Sequence, residues 1–212
     1  MNDREYYDRL ASAYLRGRAE RMSQEGPEIR AEGEKQEEKL YYFKRSPEKL
    51  PRVRMALGFL RSVWPESLLD VGSGRGAFLF PFLEEFPGTE VTAIDLLPRR
   101  VELLQDLSRG GITNLTVRQA DLCSQPFPDN AFDTVTLLEV LEHIPDVDGA
   151  VRAAVRMARR YVVVTVPSRP DNNPEHIHLL TRERLTELFG AAGCRRLHFD
   201  GVPGHLFLAV SL

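Results

Sequence analysis

From Ser67 onward the sequence alternates short apolar runs with longer amphipathic ones, which leaves few folds open. Short apolar runs bounded by turn residues read as strands, and apolar residues recurring at helical spacing read as helices. Strands are predicted over 67–71, 90–94, 115–119, 132–138 and 161–166, with helices over 77–86, 98–108, 147–159 and 181–192. Pro98 suits a first helical turn, and Gly193 suits a helix C-cap. The run Tyr161-Val162-Val163-Val164-Thr165-Val166 is almost wholly apolar, as a strand covered on both faces must be. Such alternation predicts an α/β fold with a doubly wound, mostly parallel sheet. The last two runs, 195–202 and 205–212, flank Pro203-Gly204 and predict a C-terminal antiparallel hairpin.

The segment before Trp64-Pro65 differs in kind. Residues 16 to 49 mix Arg, Lys and Glu, with little apolar content until Leu40-Tyr41-Tyr42-Phe43. A solvated helix or mobile segment fits this composition. A lid fits as well, because the aromatic cluster needs a surface to cover. Residues 51 to 63 form an amphipathic helix with Val53, Leu57 and Leu60 on one face. The reading is an N-terminal helical cap over residues 1–50 and one domain over 51–212, and a chain of 212 residues suits that division. The formal charge of -3 argues against a dedicated nucleic-acid coat, though not against a local basic patch. Cys123 and Cys194 are the only cysteines and have no neighbours at metal-ligand spacing, which points to a reduced, cytoplasmic setting. The start Met1-Asn2-Asp3-Arg4-Glu5 is polar, and no apolar run is long enough to span a bilayer, so no membrane partner is expected. Oligomeric state has no signature in the sequence.

The first apolar run, Leu68-Leu69-Asp70-Val71, enters Gly72-Ser73-Gly74-Arg75-Gly76. Glycine there allows a tight turn and lets a ligand approach the backbone, and the following helix offers free N–H groups. Strand, turn and helix together make a nucleotide-cofactor cradle. The turn fits G-x-G-x-x-A, a dinucleotide variant, and equally G-x-G-x-G; a purely structural glycine turn is a third reading. Asp95 closes the second strand, where a carboxylate can accept both ribose hydroxyls. Asp121 follows the third strand, where it can accept an adenine exocyclic N–H or simply cap a turn before Pro126.

LLDVGSGRGAF at 68–78, VTAIDLLP at 91–98, ADLCSQPFPDNAFDTV at 120–135 and EVLEHIPD at 139–146 together resemble the class I S-adenosylmethionine-dependent methyltransferase family. The resemblance covers about residues 66 to 195 and implies a Rossmann-like fold. It implies that Asp70, Gly72, Gly74 and Gly76 hold the methionine part of the cofactor. Asp95, with Leu96 beside it, would bind ribose, and Asp121 with the Leu122 N–H would read adenine. YDRLASAY at 7–14, ending at Tyr14, is similar to a segment that folds over the cofactor in such enzymes. One departure stands out: the usual Pro-Gly-Gly turn before the fifth strand is missing, and Arg159-Arg160 run directly into Tyr161.

The loops after the fourth and fifth strands carry a second cluster. If 139–143 is a helical turn, Glu139, Glu142 and His143 share one face. Pro167 to Thr181 adds Glu175, His176 and His178. Three readings are open. Glu139 touches the cofactor ammonium in a polar rim; or His143 or His176 takes a proton from the acceptor; or Glu139, Glu142, His143 and His176, with His178 in reserve, bind one divalent cation. Mixed carboxylate and imidazole ligands suit manganese, iron or zinc better than magnesium. The pattern is similar to metal-dependent methyltransferases of small-RNA ends and to the O-methyltransferases of ubiquinone biosynthesis.

The expected activity is methyl transfer from S-adenosylmethionine to a small-molecule oxygen, nitrogen or carbon, an in-line displacement in which positioning dominates. A metal-dependent O-methyltransferase of vicinal hydroxyls, RNA 3′ ends included, is the alternative within the class. Outside it stand a nicotinamide dehydrogenase, for which no Tyr-x-x-x-Lys pairing is present, and a non-catalytic cofactor-binding scaffold or sensor. Acceptor choice is expected from residues 1–50 and 168–180.

Overall fold

The computed structural model describes residues 3–24, 43, 50–124 and 127–212. Helices α1 (Asp3–Gln24) and α2 (Pro51–Val63) precede the alternating part. There follow β1 (Ser67–Val71), α3 (Leu79–Glu85), β2 (Glu90–Asp95), α4 (Pro98–Arg109), β3 (Leu115–Gln119) and β4 (Phe132–Leu138). After β4 come α5 (Val147–Met157), β5 (Ala158–Pro167), α6 (Arg182–Ala191), β6 (Arg196–Val202) and β7 (His205–Ser211). The strands form one sheet in the order β3-β2-β1-β4-β5-β7-β6. β7 is antiparallel to β5 on one side and to β6 on the other, and the remaining pairs are parallel. The expected α/β, Rossmann-like sheet with its C-terminal hairpin is present.

The pleat divides the core into two layers. Leu68, Val163 and Phe207 face one way, against α1 to α4. Leu69, Val162, Val164 and Leu208 face the other, against α5 and α6. Alternate residues of buried strands must do this, because successive side chains point to opposite faces. Local chemistry sets the helix starts: prolines open α2 and α4, the Asp146 carboxylate accepts from Gly149 N, and the Thr181 hydroxyl accepts from Arg184 N.

Three helices are shorter than expected, the one predicted over 181–192 by a single residue at each end, Thr181 serving as its N-cap. The helix predicted over 147–159 stops at Met157, because Ala158 pairs with Phe132 and extends β5 backwards. Arg159 is held there by the buried Asp133 carboxylate, which also accepts the Glu66 N–H at 2.8 Å. The helix predicted over 77–86 begins at Leu79, two residues after the glycine turn relaxes.

α1 lies along α4 and buries Tyr6, Leu10, Ala13 and Tyr14 in the core. A Cβ built on Gly17 would stand 1.8 Å from the Asp106 carbonyl oxygen, and one on Gly110 1.7 Å from that of Ala13, so the two backbones touch. Arg16 donates to the Gly110 carbonyl at 2.8 Å, and Arg21 to the buried Asp106 carboxylate at 3.0 Å. Tyr6 donates to the Phe80 carbonyl at 3.0 Å. The aromatic segment 40–42 lies outside the described residues, as does most of the expected 1–50 cap. No helix among the described residues is long and apolar enough to cross a membrane.

Candidate active site

A cleft of about 790 Å³ opens at the carboxyl ends of β1, β2 and β4, where a doubly wound sheet binds ligands. Its lining brings together Asp70, Gly72, Gly74, Asp95, Asp121 and Glu139.

The glycine turn is required sterically. Gly72 has φ 65° and Gly76 φ 79°. A Cβ on Gly72 would lie 2.7 Å from the Val140 side chain, and one on Gly76 2.3 Å from the Phe80 ring. Side chains there would both strain the backbone and push the floor of the cleft aside. The turn is tied to β2: Gly72 N donates to the Ile94 carbonyl at 2.8 Å, and Gly74 N to Asp95 Oδ2 at 2.9 Å. Asp95 Oδ1 accepts from Leu97 N at 2.9 Å. The carboxylate is therefore oriented by two backbone donors, with further lone pairs on each oxygen for a diol.

Asp70 is buried at the end of β1. Its Oδ1 accepts from the Thr136 hydroxyl at 2.8 Å, and its Oδ2 has no partner among the described residues. Burial, reinforced by the neighbouring Asp95 charge, raises its pKa to about 6, against the Ser73 and Thr136 hydroxyls. An orphaned buried carboxylate oxygen facing a cleft suits a cationic ligand group. Asp121 is exposed and accepts from Cys123 N at 2.8 Å, a turn that leaves its other oxygen in the cleft. Leu122 is buried in the lining, whereas Leu96 lines it at 61% exposure, an apolar ledge suited to a flat ring. Tyr14 is elsewhere: it is buried against Phe43, with ring centroids 5.6 Å apart, and is not among the cleft residues.

The second cluster forms differently from the expected helical turn. Glu139 has φ 60°, in the left-handed region, and only Leu141–His143 makes a 3-10 turn. Glu139 is therefore swung away from the other three expected ligands. Its Oε1 accepts from the Thr165 hydroxyl at 2.8 Å, its Oε2 pairs with His205 Nε2 at 2.9 Å, and Arg52 stands 3.8 Å away. Glu142, His143 and His176 do converge, with one ligand atom from each within 4.8 Å of the others. The four-ligand set is thus corrected to three. The reserve ligand His178 is turned aside, its Nε2 3.0 Å from the Ile144 carbonyl.

The trio has the marks of a cation site. Glu142 is fully buried, and neither carboxylate oxygen has a partner among the described residues. Burial, with the charges of Glu139 and Asp171 adding to it and Arg52 opposing, raises its pKa to about 8. His143 Nδ1 lies 2.8 Å from the Glu175 carbonyl, and His176 Nδ1 2.8 Å from Asp171 Oδ2. Both partners accept, so each ring donates through Nδ1 and keeps the Nε2 lone pair free. Outer hydrogen bonds of this kind orient histidine ligands in metal sites. Asp171 and His205 were not singled out in the sequence. Asp171 sits in a Pro- and Asn-rich loop that carries no periodicity. His205 comes to stand behind Glu139 only because β7 is antiparallel.

A methyltransferase-domain family matches residues 69–164. Over that stretch, a little under half of the chain, the sequence is similar to a methyltransferase domain. Among curated methyltransferases, the chain is 28% identical over 109 residues to a demethylmenaquinone methyltransferase of Thermus thermophilus, a match covering 50% of each chain. It is 37% identical over 98 residues to a ubiquinone biosynthesis O-methyltransferase of Pseudomonas fluorescens, covering 44% of this chain and 40% of that one. The matched region thus spans half or less of these relatives. Among solved folds, a SAM-dependent methyltransferase from Archaeoglobus fulgidus aligns with TM-score 0.60 at 16% identity, covering 76% and 94% of the two chains. The [4+2]-cyclase SpnF aligns with TM-score 0.65 at 20% identity, covering 75% and 80%. These two likenesses concern the fold.

Proposed function

We propose that the chain transfers the methyl group of S-adenosylmethionine to a small-molecule acceptor, with a hydroxyl oxygen as the favoured acceptor atom. The observation that supports this best is the cleft that gathers Asp70, the glycine turn, Asp95 and Asp121 at one sheet edge. In this reading Asp95 takes the ribose hydroxyls, and Asp121 with the Leu122 N–H takes the adenine edge. Asp70 and Glu139 flank the amino-acid part, Glu139 facing the α-ammonium. Relatives named for ubiquinone, menaquinone and tocopherol steps support a small-molecule acceptor.

Methyl transfer at a sulfonium is an in-line displacement: the acceptor oxygen forms a bond to the methyl carbon as the carbon–sulfur bond breaks, and sulfur keeps the electron pair. The acceptor proton must leave, and in the cation-free protein His143, the imidazole that lines the cleft, can receive it. Glu142, His143 and His176 fit a divalent cation, on the evidence of the orphaned Glu142 carboxylate and the two oriented Nε2 atoms. A bound cation there would lower the pKa of an acceptor hydroxyl. What the chain contributes is a carboxylate and two imidazoles fixed before the acceptor arrives, so little ordering is left to the reaction itself.

The test is incubation with methyl-labelled S-adenosylmethionine and a panel of phenols, catechols, quinols, amines and RNA 3′ ends, read by mass, with and without chelator. Methylation of a small hydroxyl compound is expected. Cofactor binding with no methylated product across the panel would favour a sensor or scaffold, and tighter binding of NADH than of S-adenosylmethionine would overturn the reading.

A further inference from the structure

His205 lies 66 residues from Glu139 and on another strand, yet the two side chains meet. β7 runs antiparallel to β5, with His205 opposite Pro167, so the first residue of β7 arrives at the carboxyl edge where β4 ends. The hairpin that places it is pinned by Ser168 N donating to the Gly204 carbonyl at 3.0 Å. His205 Nδ1 lies 3.1 Å from the Pro203 carbonyl and Nε2 2.9 Å from Glu139 Oε2. Both partners are acceptors, so the Glu139 contact uses the Nε2 proton, and a neutral ring then has none on Nδ1 for the Pro203 carbonyl. Glu139 is held in turn from three sides. Its N–H donates to the Thr165 carbonyl at 2.9 Å, its Oε1 accepts from the Thr165 hydroxyl, and its backbone is left-handed at φ 60°. A non-glycine residue keeps such a conformation only where its surroundings fix it, and such residues gather at working sites.

We infer that His205 is a positioning residue that holds the Glu139 carboxylate against the α-ammonium of the bound cofactor, so that the C-terminal hairpin sets cofactor affinity. The inference rests on the cofactor reading given above and adds a residue to it. Glu139 lines the cleft, while His205 and Thr165 stand behind it. His205 therefore acts through Glu139, without touching the reacting atoms. Without the Nε2 donor, Oε2 keeps only the 3.8 Å Arg52 contact while Oε1 stays on Thr165, and the ammonium faces a less firmly fixed counter-charge.

The test uses the full chain, calorimetry and two ligands. S-adenosylmethionine carries the α-ammonium; 5′-methylthioadenosine has the same nucleoside and sulfur but no amino-acid group. His205→Phe is expected to weaken S-adenosylmethionine about tenfold, as loss of a hydrogen bond to a charged group does. It should leave methylthioadenosine within about twofold. His205→Gln, which returns an amide near the Nε2 position, should recover most of the loss. In a Glu139→Gln background His205→Phe should add nothing, because the pair acts as one unit. In steady state the variant should raise KM for the cofactor and spare kcat, the mark of lost uniform binding. Equal weakening of both ligands, or additive losses in the double variant, overturns the role of His205. Should His205→Phe fail to fold, His205→Asn carries the same comparison with a shorter side chain. Absence of S-adenosylmethionine binding to the unaltered protein would overturn the cofactor reading, and with it this inference.

Discussion

Asp70 carries a carboxyl group with one oxygen satisfied by Thr136 and one left without a partner in a buried place. Its pKa in the fold, about 6, lies above the ordinary 3.8, so the folded state holds the proton more tightly than the unfolded chain. Its contribution to stability is therefore full below about pH 3.8, declines as the pH rises towards 6, and is flat above that. Asp70→Asn removes this dependence. Relative to the unaltered protein, the variant should gain up to about 3 kcal/mol between roughly pH 4 and pH 7, read by urea unfolding. Parallel curves for the two proteins would mean that folding leaves the Asp70 pKa unshifted. Asp95 stands in the opposite condition, with two backbone donors on its carboxylate. Asp95→Ala should weaken S-adenosylmethionine by roughly 2–3 kcal/mol, the scale of hydrogen bonds to a charged group. Unchanged affinity in calorimetry would remove Asp95 from the cofactor site.

At the scale of elements, what the sequence made legible follows from burial. β1, β3 and β4 have the expected bounds, because each is an apolar or alternating run closed by a turn. β5 starts three residues early because its first turn of chain is held by the Arg159–Asp133 link, a contact between residues 26 apart that no local pattern announces. Glu139, Glu142 and His143 were legible as a group, and their sharing of one face was not. Spacing assumes a regular helix, and a left-handed Glu139 breaks it. The docking of α1 was hidden for another reason. Its buried stripe of Tyr6, Leu10, Ala13 and Tyr14 has helical spacing, but its close approach to α4 uses two glycines, Gly17 and Gly110, which apolar periodicity does not see. That contact yields a prediction. Gly110→Ala should cost about 1–3 kcal/mol through overpacking, or roughly 2–4 °C per kcal/mol in Tm for a chain of this size. Gly58 and Gly190 lie in helices with nothing within 4 Å of an added Cβ. Alanine at either should be neutral or stabilising by up to about 1 kcal/mol. Similar losses at all three glycines would show that close helix contact is not the cause.

For the whole molecule, the cleft and the Glu142 trio divide the carboxyl edge of the sheet into two charge systems with opposite effects on stability. Ligand that binds only the folded state raises Tm, adding about 2.7 kcal/mol of stability at a hundred times Kd. A buried carboxylate without a partner does the reverse, and lowers the stability of the cation-free protein. Glu142 is fully buried and is not among the residues lining the cofactor cleft. Glu142→Met, an unbranched side chain of similar length, should therefore melt higher than the unaltered protein in chelator, by about 1–3 kcal/mol, the scale of a relieved unsatisfied polar group. Adding Mn²⁺ should raise Tm of the unaltered protein and leave the variant where it was. S-adenosylmethionine should raise both alike, because Asp70, Asp95 and Asp121 are untouched. Scanning calorimetry across these conditions reads all three effects at once. A variant that melts lower in chelator would mean that Glu142 has an unrecognised partner and supports the fold. No response of the unaltered protein to the cation would instead return His143 and His176 to proton transfer, with Asp171 and the Glu175 carbonyl still fixing which nitrogen faces the acceptor.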